Sequence, residues 1–132
     1  MDLDAKHSVL YAIYTEYQKD IPDMSLVTPE VLGIEKIVFN IAVNKLENEG
    51  YIRGTLIPKI LGEIHPVNVI LYHTKMTREG MDYVEKALEL SAPQTNKERV
   101  QSLTDKFKEY GWDALTTFAA KVVVEIGIKT IS

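Results

Sequence analysis

The sequence predicts an α+β chain, a helical scaffold interrupted once by a hairpin. Three observations carry that expectation. Apolar residues recur at helical spacing over residues 4–19 and again over 35–49. The period then changes, and two runs rich in β-branched and aromatic residues, YIRGTLI (51–57) and VNVILYH (67–73), read as strands. Beyond them helical spacing returns and runs to residue 131.

Taken in order, the first helix has Val9, Leu10, Ile13, Tyr14 and Tyr17 at its apolar positions, and Asp2 and Asp4 at its positive end. Pro22 closes it, because a proline disfavours helical geometry in the residue before it. Thr28-Pro29-Glu30 starts a short helix. Thr28 caps, and Pro29 suits the first position, where its missing N–H would be unpaired anyway. That helix stops near Gly33. A longer one runs from about Glu35 to Glu49 and ends at Gly50, a good left-handed cap.

The two strands read as an antiparallel hairpin around PKILGEIHP, a loop punctuated by Pro58, Gly62 and Pro66. Thr77 caps the next helix, whose buried face is expected at Tyr83, Val84, Ala87 and Leu88. Ser91-Ala92-Pro93-Gln94 is the one plausible linker. Lys97 to Tyr110 then forms a helix with Val100, Leu103 and Phe107 on one side, and Asp113 to Ile131 the last. Two helices joined by a tight turn and followed by a two- or three-stranded wing is the order of a winged helix-turn-helix. Residues 1–92 are expected to form that domain. Residues 93–132 form a C-terminal helical extension that is not a domain of its own.

The stretch FNIAVNKLENEGYI (39–52) resembles the second half of the YjcQ family of bacterial and phage-borne winged-helix proteins. Phe39, Ala42, Val43 and Leu46 match its core-facing positions, and Glu49-Gly50-Tyr51-Ile52 its turn into the wing. MTREGMDYVEK (76–86) is similar to its entry into the following helix. The resemblance covers about residues 5–90. It implies a winged-helix fold and, by analogy, a DNA-binding transcriptional regulator; fold does not fix function.

A helix-turn-helix reader would place the outward face of the 35–49 helix in the major groove. Asn40 and Asn44 could each read adenine through a side-chain amide, and Lys36, Arg53 and Lys59 could reach phosphate. The alternative is a protein-interaction or dimerisation module. The same face carries Ile37 and Ile41 and no arginine, and the loop holds Ile57, Ile60, Leu61 and Ile64. The last helix is apolar nearly all round. Phe118, Val122 and Ile126 could form an interface, or the helix could pack on the first helix as ordinary core.

Charge bears on the choice. The 132 residues include 15 basic and 19 acidic side chains, net −4. Residues 1–92 hold 9 basic and 14 acidic, whereas residues 93–132 hold 6 and 5. The part expected to meet DNA is thus the acidic part, which argues against strong non-specific affinity for phosphate. The partners expected are double-stranded DNA, or a second copy or other protein. A hydrophobic content of 45% excludes global disorder. The absence of cysteine excludes disulfides, zinc fingers and thiol catalysis. His7, His65 and His73 have no metal-ligand spacing, and no nucleophile or phosphate-loop motif occurs. No enzyme activity, metal or cofactor is expected. Without an apolar leader or spanning run, the cytoplasm is the expected compartment.

Overall fold

The computed structural model describes residues 3–91 and 94–131, the last four as helix backbone only. Six α-helices make up most of it: α1 Ala5–Tyr17, α2 Pro29–Leu32, α3 Lys36–Asn48, α4 Arg78–Ala87, α5 Asn96–Glu109 and α6 Asp113–Ile131. A 3₁₀ turn, Met24–Leu26, lies between α1 and α2. The sheet is two antiparallel strands of two residues each, β1 Ile52–Arg53 and β2 Lys75–Met76. Among the described residues no helix is long and apolar enough to cross a membrane.

The helix ends follow local chemistry. Asp4 caps α1 by accepting from the His7 backbone N–H at 2.8 Å. Thr28 caps α2 with Pro29 in its first turn, and Gly33 leaves α2 at φ 66°. Gly50 follows α3 at φ 78°, where the Tyr51 N–H reaches back to the Leu46 carbonyl. Thr77 caps α4. Thr95 and Glu98 form a capping box at the start of α5.

The winged helix-turn-helix expectation is corrected here. The chain is mostly helical, and among the described residues the sheet has two strands, not a three-stranded wing. Most of the two runs read as strands is unpaired. Ile52 faces Met76 and Arg53 faces Lys75, so β2 lies beyond the second run, and its Met76 falls in the segment read as the opening of a helix. Beyond this, one isolated bridge joins Leu56 to Ile70. Two residues separate the paired positions on the first side and four on the second. The surplus is taken up by a turn in which the Thr74 N–H donates to the Leu71 carbonyl at 2.9 Å. Gly54 lies opposite that turn at φ 83°, so close that a Cβ there would stand 2.4 Å from the His73 carbonyl oxygen.

The core is built around α1. Every residue from Ser8 to Glu16 is buried. α3 packs on one part of its circumference, and α6 on another; α4 and β2 also touch it. From α3 come Phe39, Ala42, Val43 and Leu46, as the 100° step requires. Of the residues expected to face inward from α4, Val84 and Leu88 are buried and Tyr83 half-buried, but Ala87 is exposed. Val100, Leu103 and Phe107 of α5 are fully buried. α6 packs on α1 and α5 as ordinary core. Its Phe118 and Val122 are therefore buried rather than displayed as an interface, and Ile126 is half-buried against the core. Tyr11 stacks on Trp112 with ring centroids 5.8 Å apart, joining α1 to the start of α6. Ala92 and Pro93, the centre of the expected linker, lie outside the described residues, as do Asp2 and the side chains of Ile128 and Ile131.

Candidate interaction surface

α3 presents its inner face to α1 and leaves Ile37 and Val38 exposed on the other side. Residues 54–74 form an arm beside that outer face. The Leu56–Ile70 bridge closes its base through two backbone hydrogen bonds of 3.1 and 2.8 Å. At its far end Gly62, at φ 89°, helps turn the chain, and the Glu63 N–H donates to the Ile60 carbonyl. Beyond the bridge the arm is held largely by its own turn and by α3.

Asn40 makes that attachment. It is 3% exposed, and its Nδ2 donates to the carbonyls of Val67 and Pro66 at 3.0 and 3.3 Å. Its amide is spent on two backbone acceptors and is not turned toward a base edge. In the free chain Asn40 thus fastens the arm to α3. Asn44 is half-buried, and Lys36, Arg53 and Lys59 are exposed. Ile41 is half-buried and Ile37 is exposed.

The arm is apolar where it meets water. Leu61 is 102% exposed and Ile64 91%. Leu56, Ile60, Val67 and Ile70 are each about half exposed. Between arm and helix runs a groove of about 550 Å³, walled by Lys36 and Ile37 on α3 and by Ile64 and Val67 on the arm. A second groove of about 520 Å³ adjoins it, with Asn44 on one wall and Ile57, Ile60 and Leu61 on the other. The apolar side chains of α3 and the arm that line these grooves thus make one surface, with Lys36, Lys59 and Glu63 beside them and Glu35 next to Lys36 in the chain.

Val38, Leu56, Val67 and Ile70 were missed as surface residues. The available signal is that VNVILYH has apolar residues at both parities. A strand apolar on both faces needs cover on both, and this chain supplies little for one of them.

Elsewhere polar groups tie helices together. Glu16 is buried, and its Oε2 accepts from Lys19 Nζ at 2.9 Å and the Asp23 N–H at 2.8 Å. Lys19 also contacts Glu125, joining the end of α1 to α6. Burial drives the Glu16 carboxyl above its ordinary range, against the pull of Asp23 and Lys19. Burial lowers the Lys19 ammonium, but its bonds to Glu125 and Glu16 outweigh that and hold it above its usual value. His7 bridges Asp4 (Nδ1 to Oδ1, 2.7 Å) and Tyr83 (Nε2 to Oη, 2.6 Å), fastening the start of α1 to α4. These clusters lie on packed helix junctions.

No family model, curated protein or solved structure matches this chain, so the resemblance to the YjcQ family rests on residues 39–52 and 76–86 themselves.

Proposed function

We propose that this chain is a protein-interaction module that pairs with a second copy of itself through α3 and the arm. The observation that carries this reading is the full exposure of Leu61 and Ile64 on a surface continuous with Ile37. Isolated apolar residues on a surface are ordinary; a connected group of this size marks a contact face. The six aliphatic side chains that line the two grooves, Ile37, Ile57, Ile60, Leu61, Ile64 and Val67, offer a patch on the order of 700 Å², close to the share each partner gives to a standard interface. The rim supports a second copy as the partner. Lys36 and Lys59 stand beside Glu35 and Glu63, and a two-fold contact can set each chain's lysines against the other's glutamates. A partner of one dominant charge would meet repulsion from half of that rim.

Sedimentation equilibrium tests this. The wild-type chain dimerises with rising concentration, and Leu61→Asp stays monomeric with an unchanged fold by circular dichroism. A wild-type chain that remains monomeric at every concentration reached would overturn the reading.

A second reading, a DNA-binding regulator, is favoured by Lys36, Arg53 and Lys59, which are exposed and have no ion-pair partner among the described residues. It predicts that labelled duplex DNA binds with an affinity that falls steeply with salt and falls further in Lys36→Glu. Duplex that does not bind even at low salt would remove it.

A further inference from the structure

The hairpin ladder holds a pair that its own stability argues against. Its two register pairs divide sharply. Ile52 and Met76 are buried, whereas Arg53 and Lys75, directly opposite one another, are both exposed. Like charges facing each other across an antiparallel pair are destabilising. Nothing nearby relieves this one, since neither side chain has an ion-pair or hydrogen-bond partner among the described residues.

The pair lies on the wall of a groove of about 590 Å³ between the hairpin and the end of α1. That volume falls in the range of small-molecule sites. His73 and Tyr72 continue the wall on the hairpin side, and Tyr17 and Asp20 stand on the side of α1. Asp20 is the one acidic residue lining it among the described residues. Lys19 lines it too, but its charge is already held between Glu16 and Glu125. Two uncompensated cations therefore face one groove in a chain whose net charge is −4. The groove also offers a flat surface. Tyr72 is 72% exposed, with its ring edge-on to His73 at 5.2 Å. Neither the Tyr72 nor the Tyr17 hydroxyl has a hydrogen-bond partner among the described residues.

We propose that this groove binds a phosphate ester joined to a flat ring, with Arg53 and Lys75 on the phosphate and Tyr72 against the ring. Arg53 offers a planar fork to two phosphate oxygens, and Lys75 a point charge to a third position. A bound dianion turns the repulsion between them into shared attraction, so the cost of the pair in the free chain is recovered on binding. The chemistry is common to a free nucleotide and a single strand of nucleic acid, in which bases stack on aromatic side chains beside a cationic track. The groove shares no side chain with the patch proposed for self-association, so either proposal can fail alone.

The full chain is titrated calorimetrically at low salt, in a phosphate-free buffer, with pyrophosphate, adenosine 5′-monophosphate and an eight-residue oligothymidylate. Saturable binding of pyrophosphate and the monophosphate is expected. Lys75→Glu weakens both at least tenfold while its melting temperature rises, because an opposite-charge pair replaces a like-charge one. A residue that served structure alone would not lose binding and gain stability together. Arg53→Gln with Lys75→Gln removes charge at nearly constant size, and gives the same loss of binding if the glutamate variant folds poorly. Tyr72→Ala weakens the monophosphate and spares pyrophosphate. An octamer bound more tightly than the monophosphate, with steep salt dependence, identifies the source as a strand; the reverse order identifies a free nucleotide. The proposal is overturned if no probe binds saturably, or if binding survives unchanged in the charge variants. An unaltered monophosphate affinity in Tyr72→Ala overturns the ring contact.

Discussion

Single residues decide how closely the elements approach. Gly80, in the first turn of α4, is buried against the chain as it leaves α3. A Cβ there would lie 2.0 Å from the Tyr51 carbonyl oxygen and 3.0 Å from Met76 Cε. The Met76 methyl can move, but the carbonyl belongs to backbone that also accepts from the Thr77 N–H. Alanine would gain about 1 kcal/mol of helix propensity. The forced separation of α4 from Tyr51 costs more, so Gly80→Ala lowers stability by a net amount of roughly 1–3 kcal/mol, read from the denaturation midpoint. Asn40 shows the limit of reading residues alone. Its place on α3 follows from the helical period, and an outward Asn suits either water or a base edge. The Pro66 and Val67 carbonyls that capture it are 26 and 27 residues away in sequence, and no local pattern announces them.

Elements end where caps place them, and one end is strained. α4 gives way to Leu88 and then to Glu89 at φ 52°, the left-handed region that a side chain disfavours. The Leu90 N–H closes the motif by donating to the Glu85 carbonyl at 2.9 Å. Glycine is the usual residue at such a position. Because Glu89 is exposed, Glu89→Gly relieves strain without removing core contacts. It should raise stability by about 1 kcal/mol, measured as a higher melting temperature. The helices were legible at this scale because their signals are local. Thr28-Pro29, Gly50, Thr77 and the spacing of Val100, Leu103 and Phe107 all act within a turn or two. The strands were not. β-branched composition marks residues that can pair, but pairing is settled by the partner. Here the Leu71–Thr74 turn and Gly54 break both runs, and the ladder moves to Lys75-Met76.

At the scale of the whole molecule α1 is the axis, and its buried phenols make stability fall at high pH. Burial pushes the Tyr11 hydroxyl up to about 12, helped by the electrostatic influence of the neighbouring Tyr83, Asp4 and Tyr110. Tyr14 rises further, through burial and its bond to Glu85, against the opposing pull of Arg99. A phenol held above its ordinary value keeps its proton in the folded state after the unfolded chain has lost it. The folded state then binds more protons, and stability falls as pH rises from about 10. At about 1.4 kcal/mol per unit, Tyr11 alone accounts for roughly 2–3 kcal/mol by pH 12. Lys19 adds to this, since Glu125 and Glu16 hold its ammonium in the folded state above the ordinary value, where the unfolded chain has already lost that proton. Denaturation followed by circular dichroism should show this decline, and Tyr11→Phe should make it shallower; a pH-independent midpoint over that range would contradict the assignment. The sequence by itself determined the six helical segments, the caps at Thr28, Gly50 and Thr77, the inward face of α3 and the apolar character of the arm, because period and capping are properties of neighbouring residues. Only the tertiary structure decided that α6 covers α1, that Asn40 turns inward, and that Arg53 stands opposite Lys75 over a groove. Those are contacts between residues far apart in the chain, set by which surfaces must leave water together.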